Sequence, residues 1–238
     1  MTRGLILTGR LKIDNKKLYK NHFTSQLKKE NIIMEKHISQ KQIKKIETFV
    51  QSKIDQLNWQ HTIEVRKYGQ ELARLEKANQ EVVEVAALFH DCAKLETNTL
   101  EHAKRGAEIA KKFLTRLNLE QNFIQMVYDC VLCHSSPWIS GPPWNQKTPQ
   151  PETIEAKVLF DADMLAQMSQ TGICKNLFEY RDKGEDLLSC ARHAYRDIKH
   201  YAFKNLLTKN GQKIGQQKFK YVQNFFGNII EIKTQKEK

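Results

Sequence analysis

VVEVAALFHDCAK, residues 82–94, is an apolar run that ends abruptly in a His-Asp doublet. Val82, Val83, Val85, Ala86, Leu88 and Phe89 leave only Glu84 as a polar interruption, which reads as a helix buried on most sides. His90 and Asp91 close that helix. An ionised carboxylate there is expensive without a partner, and a cation would neutralise it. Successive helical residues diverge by about 100°, yet an ion at the helix end can sit between two adjacent side chains.

Upstream, Ile43, Ile46, Phe49, Val50, Ile54 and Leu57 recur at three- and four-residue steps from Ser39 onward, and Ile63, Val65, Tyr68, Leu72 and Leu75 continue the rhythm. Downstream, 103–117 repeats it with Ala107, Ala110, Phe113, Leu114 and Leu117, and 120–134 with Phe123, Ile124, Val127 and Val131. SSPWISGPPWNQKTPQPE (135–152) holds all five prolines, a density no helix interior tolerates, and is expected to be a long loop. Periodicity resumes at Ile154 and runs through Val158, Leu159, Leu165 and Met168. Two further helices are expected around 191–208 and 212–232, separated by a helix stop at Asn210-Gly211. No strand and no internal repeat is evident, so the expected class is all-α. Residues 1–36 lack periodicity and read as an N-terminal extension, 37–232 as one helical domain, and 233–238 as a basic tail.

The chain has 238 residues, 40% hydrophobic and 28% charged, an ordinary globular composition that argues against wholesale disorder. Ten glycines and five prolines are few for a sandwich or barrel. No apolar run approaches the roughly 18 residues of a membrane span, and no export segment is visible. Five cysteines, an odd number, suit reduced thiols in the cytoplasm better than a disulfide framework. The net charge of +12 is concentrated in the flanks: +8 over 1–58 and +7 over 199–238, against −3 between them. Such flanks attract anionic ligands or nucleic acid, although a solvated lysine-rich surface is the commoner meaning of this pattern.

Of eight histidines, His61, His90, His102 and His134 lie on or at the ends of central helices, and Asp161 and Asp163 follow the proline-rich loop. Imidazole and carboxylate together suit Mn, Fe, Co, Ni, Zn or Mg without choosing among them. Taken singly, a histidine on an apolar helix is more often a packed core residue than a ligand. Cys130-Val131-Leu132-Cys133-His134 spells the C-x-x-C-H pattern of haem attachment, but inside an apolar helical pattern two buried thiols are the simpler reading.

The ordered set His61, His90-Asp91 and Asp163 resembles the HD-domain superfamily of metal-dependent phosphohydrolases, most closely its small stand-alone bacterial members. NWQHTIEVRKYGQELA (58–73) is similar to the family's first helix and VEVAALFHDCAK (83–94) to its doublet helix. EHAKRGAEIAKKFL (101–114), VLCHSSP (131–137), PETIEAKVLFDADML (151–165) and the C-terminal HYAFKNLLTKNGQKIGQQKFKYVQNFF (200–226) resemble the later blocks. The resemblance implies an HD-like helical bundle with metal ligands at His61, His90, Asp91 and Asp163. It implies Asp163, rather than Asp161, as the distal ligand, leaving Asp161 to cap or to support. It places His102 and His134 where members bind either a second metal or substrate phosphate, and Lys94 at a lysine frequent after the doublet. The sequence departs from the closest members at Met164 and Ala166, where they usually carry Arg and Asp.

The function implied is hydrolysis of a phosphate ester or anhydride, with a nucleotide as substrate and nucleoside triphosphate pyrophosphohydrolysis as the leading subtype. One divalent ion, or two, would activate the attacking water. In the two-ion case Asp91 would bridge; in the one-ion case, the expected one, His134 could protonate the leaving group and His102 and Lys94 contact phosphate. Lys104 and Arg105 are secondary candidates, better read as surface charges. Two other classes stay open: a diiron oxygenase with the same His/Asp order, and a non-catalytic module binding nucleic acid or a partner through the basic flanks.

Overall fold

The structure, a computed structural model, describes residues 38–97, 101–135 and 149–234. The expected extension at 1–36, most of the proline-rich loop with Trp138 and Trp144, and the last residues of the tail lie outside them. The described residues form nine α-helices and no strand.

Helix α1 (Gln40–Gln51) starts at a reciprocal cap, in which Ser39 Oγ accepts from Gln42 N–H and Gln42 Oε1 accepts from Ser39 N–H at 2.9 Å. It buries Ile43, Ile46 and Val50. The apolar rhythm suggested continuity to Leu57, but the helix stops at Ser52 and a new one begins, because Asp55 Oδ1 caps Asn58 N–H at 2.8 Å. That second helix, α2 (Gln56–Glu76), turns His61, Val65, Tyr68 and Leu72 inward, while Ile63 and Leu75 remain partly exposed. At Gly69 a Cβ would meet Val83 Cγ1 at 3.0 Å, so the glycine lets α2 close onto α3 (Gln80–Phe89). Every residue of 85–93 is buried.

Helices α4 (His102–Arg116) and α5 (Gln121–Cys133) pack on each other and on α3, with Phe49, Phe89 and Phe113 forming an aromatic cluster whose closest centroids are 4.3 Å apart. Helix α6 (Ile154–Gln167) is the central element: ten residues are buried, and it packs against α2, α3 and α5. Cys130 and Cys133 are buried free thiols, and burial pushes both thiol pKa values upward.

The C-terminal part differs most from expectation. Helix α7 (Gln170–Arg181) was not foreseen; it buries only Gly172 and Ile173 along its length, too little for a periodic signal. Gly172 is required there, since a Cβ would lie 2.2 Å from Ala166 O. Helix α8 (Leu187–Asp197) continues through a π-helical turn (Ile198–Ala202) and a short 3-10 turn (Phe203–Asn205). Helix α9 (Lys209–Thr234) already contains Asn210 and Gly211 in its first turn, so this pair is not the expected stop. The stop comes earlier, where Asp161 accepts from Leu207 N–H, Thr208 N–H and Thr208 Oγ–H, each at 2.7 Å. Thr208 Oγ in turn caps Gly211 N–H at 3.0 Å. A Cβ at 211 would fall 2.2 Å from Asp161 Oδ2, which explains the glycine. Among the described residues no helix is long and apolar enough to cross a membrane.

Candidate metal centre

Five elements deliver six buried side chains to one place. His61 comes from the inward face of α2, His90 and Asp91 from the end of α3, His102 from the first turn of α4, His134 from the end of α5, and Asp163 from α6. The structure therefore brings together His61, His90, Asp91 and Asp163, and adds His102 and His134 to the same cluster.

Asp91 is the centre. Its Oδ2 faces His90 Nε2 at 3.6 Å and His61 Nε2 at 3.9 Å, while its Oδ1 faces His102 Nε2 at 3.4 Å and His134 Nε2 at 3.6 Å. His61 Nε2 lies 3.0 Å from Asp163 Oδ1. The donor atoms fall into two sets, His61/His90/Asp163 and Asp91/His102/His134, each with its atoms within 4.8 Å of one another. A single ion was the expectation; two donor sets joined through one carboxylate are what the chain presents.

Two backbone contacts orient the rings. His90 Nδ1 lies 2.8 Å from Ala87 O and His134 Nδ1 lies 2.6 Å from Val131 O. A carbonyl only accepts, so Nδ1 carries the proton in both, and the neutral form of each ring turns an Nε2 lone pair to the cluster. His90 Nε2 is fully buried with no hydrogen-bond partner, and so is His61 Nδ1. A lone pair that faces a carboxylate oxygen at 3.6 Å, with no proton between, is the arrangement a cation completes. The residues thus fit a divalent metal of the borderline class, and the donor set does not fix which.

The electrostatics agree. Burial holds His90 down to about 4, against the opposing pull of Asp91 and Asp163, so it stays neutral at pH 7. Burial also raises Asp91, but Lys94, His90 and the close contacts with His102 and His134 outweigh it and leave the carboxyl well below its ordinary range. Asp163 is lowered in the same manner, mainly by its hydrogen bond from His61, despite burial. Lys94 Nζ pairs with Asp91 Oδ2 at 3.0 Å on the solvent side. Lys104 is exposed, and Arg105 reaches only Glu96 at 3.7 Å, so both are surface charges. Met164 and Ala166 are buried on α6. Glu179 of α7, which no periodicity singled out, acts electrostatically on both Lys94 and Asp91.

Residues 58–168 match the family model of the HD domain. This segment is an HD domain. Solved structures of similar fold include YpgQ of Bacillus subtilis, with a TM-score of 0.63 and 21% identity, covering 80% of this chain and 95% of that one. The same protein in complex with ADP gives a TM-score of 0.62 at 21% identity, covering 80% and 94%. An HD-superfamily hydrolase from Bacillus thuringiensis gives 0.59 at 19% identity, covering 82% and 95%. At these identities the likeness is one of fold. Proteins of the HD superfamily are generally metal-dependent hydrolases. Among curated proteins, a tRNA (cytidine(56)-2'-O)-methyltransferase of Picrophilus torridus is 30% identical over 137 residues, 56% of this chain. The match covers 37% of that relative, so the chain spans little more than a third of its length.

Proposed function

We propose that the protein is a metal-dependent phosphohydrolase acting on a phosphate ester or anhydride, with a nucleotide as substrate, in the cytoplasm. The observation that carries this reading is Asp91, whose two oxygens face two separate buried His/Asp sets. His61, His90 and Asp163 would hold one divalent ion, His102 and His134 a second, and Asp91 would serve both. Bound there, such ions supply Lewis acidity to a phosphoryl oxygen and lower the pKa of an attacking water.

The chain's own residues do the rest. The Ala87 and Val131 carbonyls hold His90 and His134 in the tautomer that leaves Nε2 free. Lys94, raised above the ordinary lysine range by Asp91 and Glu179 in spite of burial, stays charged at neutral pH and offers its ammonium to phosphate oxygens. With one ion alone, His134 would serve as the acid toward the leaving oxygen only in its imidazolium form, protonated on Nε2 as well as Nδ1, and His102 would contact phosphate. The complex of YpgQ with ADP supports a nucleotide substrate by likeness of fold, and the basic flanks would draw polyanions toward the site.

The test is metal content and phosphate release together. The purified protein is expected to carry divalent ions and to release phosphate from nucleotides, and His90→Ala and Asp91→Ala are expected to lower the rate at least about a thousandfold. Full metal-dependent activity in both variants would remove this cluster from consideration. The paired donor sets also admit a diiron oxygenase; two tightly held irons with oxygen consumption and no phosphate release would favour it.

A further inference from the structure

Between Ile198 and Ile230 the chain carries six lysines and no aspartate or glutamate. Most of that stretch is α9, whose inner face is set by Gly211, Gly215, Phe219, Val222 and Phe226, all buried. At 3.6 residues per turn the opposite face collects Lys209, Lys213, Gln216, Lys220 and Asn224 at i, i+4, i+7, i+11 and i+15, and all five are exposed. Among the described residues none of these three lysines makes an ion pair. Glu76 of α2 is engaged by Asn210, whose backbone N–H and Nδ2 donate to it at 2.9 and 3.0 Å. Lys218 turns the other way and sets its Nζ 4.5 Å from the centre of the Tyr68 ring on α2. Every other exposed position of α9 through Asn228 is Gln or Asn, except Tyr221, which is 45% exposed at the edge of the stripe.

From this stripe we infer that the outer face of α9 binds single-stranded nucleic acid, independently of what the His/Asp cluster holds. Lys209 and Lys220 stand eleven residues apart, about 16 Å along the helix axis, so the three cations match an extended row of phosphates better than one compact anion. With no carboxylate beside them, their charge is left for a partner. Gln and Asn amides both donate and accept, which suits phosphate oxygens, sugar hydroxyls and base edges together. Tyr221 offers a ring on which an unpaired base can stack. A lipid surface fits less well. A helix that lies in a membrane presents large apolar residues on its outer face, whereas on α9 Ile214, Phe225 and Ile229 are half-buried and Tyr221 is the one large hydrophobic residue exposed.

The experiment uses the full chain and a fluorescein-labelled RNA of mixed sequence, about 20 nucleotides long, with anisotropy read across a salt series. A chelator is present throughout, so the outcome does not depend on the metal centre. Lys209→Gln, Lys213→Gln and Lys220→Gln combined are expected to weaken binding at least about tenfold and to flatten the slope of log affinity against log salt by about 2, since each phosphate neutralised on a single strand contributes about 0.7. Tyr221→Ala is expected to cost about tenfold with the slope unchanged, because stacking carries no counterion release. Lys41→Gln, Lys45→Gln and Lys112→Gln combined remove the same charge from exposed lysines on α1 and α4 and are expected to leave both quantities nearly as they were. An equal fall in that control would show that net charge alone is being read, and would overturn the assignment to α9. So would a chain that binds no RNA, or one that sediments with phosphatidylserine vesicles in preference to it.

Discussion

Asp161 and Asp163 stand two residues apart on α6, both buried, and face different partners. Asp163 points to His61, and the imidazoles around it hold its carboxyl low in spite of burial. Asp161 points to the junction before α9, where two backbone N–H groups and one hydroxyl donate to it; burial outweighs these bonds and pushes it up to about 6. The same residue type on the same helix thus serves a charged cluster in one case and ties down the chain in the other. What separates them is the partner: titratable imidazoles on one side, fixed backbone dipoles on the other.

Asp163→Asn is the sharpest way to break this contrast. It keeps shape and removes a negative ligand, so metal affinity should fall by about a hundredfold or more, read by calorimetry or elemental analysis, with little loss of folding stability. Asp161→Asn should do the opposite: full metal content and lower stability, since its amide turns N–H groups toward donors that lose their acceptor. Equal metal loss in both would mean that the two aspartates share one role.

Gly211→Ala attacks the Asp161 side without touching a carboxylate. In an exposed helix the change would help by roughly 1 kcal/mol. Here the new Cβ would lie 2.2 Å from Asp161 Oδ2 and 2.8 Å from Thr208 Oγ. Displacing the carboxylate weakens three hydrogen bonds to a charged group, so a net loss of about 3 kcal/mol is expected in denaturant unfolding. A gain in stability would show that the junction yields easily.

Proton linkage gives the two sides opposite signs. For metal-free protein, His90 titrates near 4 when folded and near 6.5 when unfolded. The unfolded chain binds more protons in that window, so the His90 contribution raises stability as pH rises from about 4 to 6.5 and is lost as pH falls. Asp161 moves from the ordinary 3.8 up to about 6 on folding, so its contribution is present below 4 and is lost as pH rises through 6. Each shift corresponds to about 3 kcal/mol, and the two largely offset. Asp161→Asn should therefore make stability climb with pH between 4 and 6, and His90→Gln should make it decline. Two flat profiles would contradict both shifts.

The contrast also shows how far sequence carried the reading. The His90-Asp91 doublet was legible because charge ends a run too apolar to be a surface, and the order of blocks around it located His61 and Asp163. The pairing of donors into two sets was not legible. It depends on which oxygen of Asp91 faces which ring, and spacing along a chain does not encode that. The role of Asp161 was legible only in outline, as a residue that caps or supports; its partners, backbone N–H groups 46 and 47 residues away, were not. Asn210-Gly211 looked like a helix stop since glycine commonly serves there, whereas this glycine is small to admit a carboxylate. Helix α7 escaped notice because it offers the core almost nothing.

The smallest effect is the most selective. Thr208 has one hydroxyl with two duties, donating to Asp161 and accepting from Gly211 N–H. Thr208→Val keeps the shape and removes both bonds, leaving Asp161 with its two backbone donors. Stability should drop by about 1–2 kcal/mol, the usual size of a lost helix cap. Thr208→Ser retains the hydroxyl and should recover most of that. Neither change alters a group in the His/Asp cluster, so metal content should be unaltered in both. If Thr208→Val also lowered metal affinity, the start of α9 would be holding α6, and through it Asp163, in register. The division of labour between the two aspartates would then be a coupling between them.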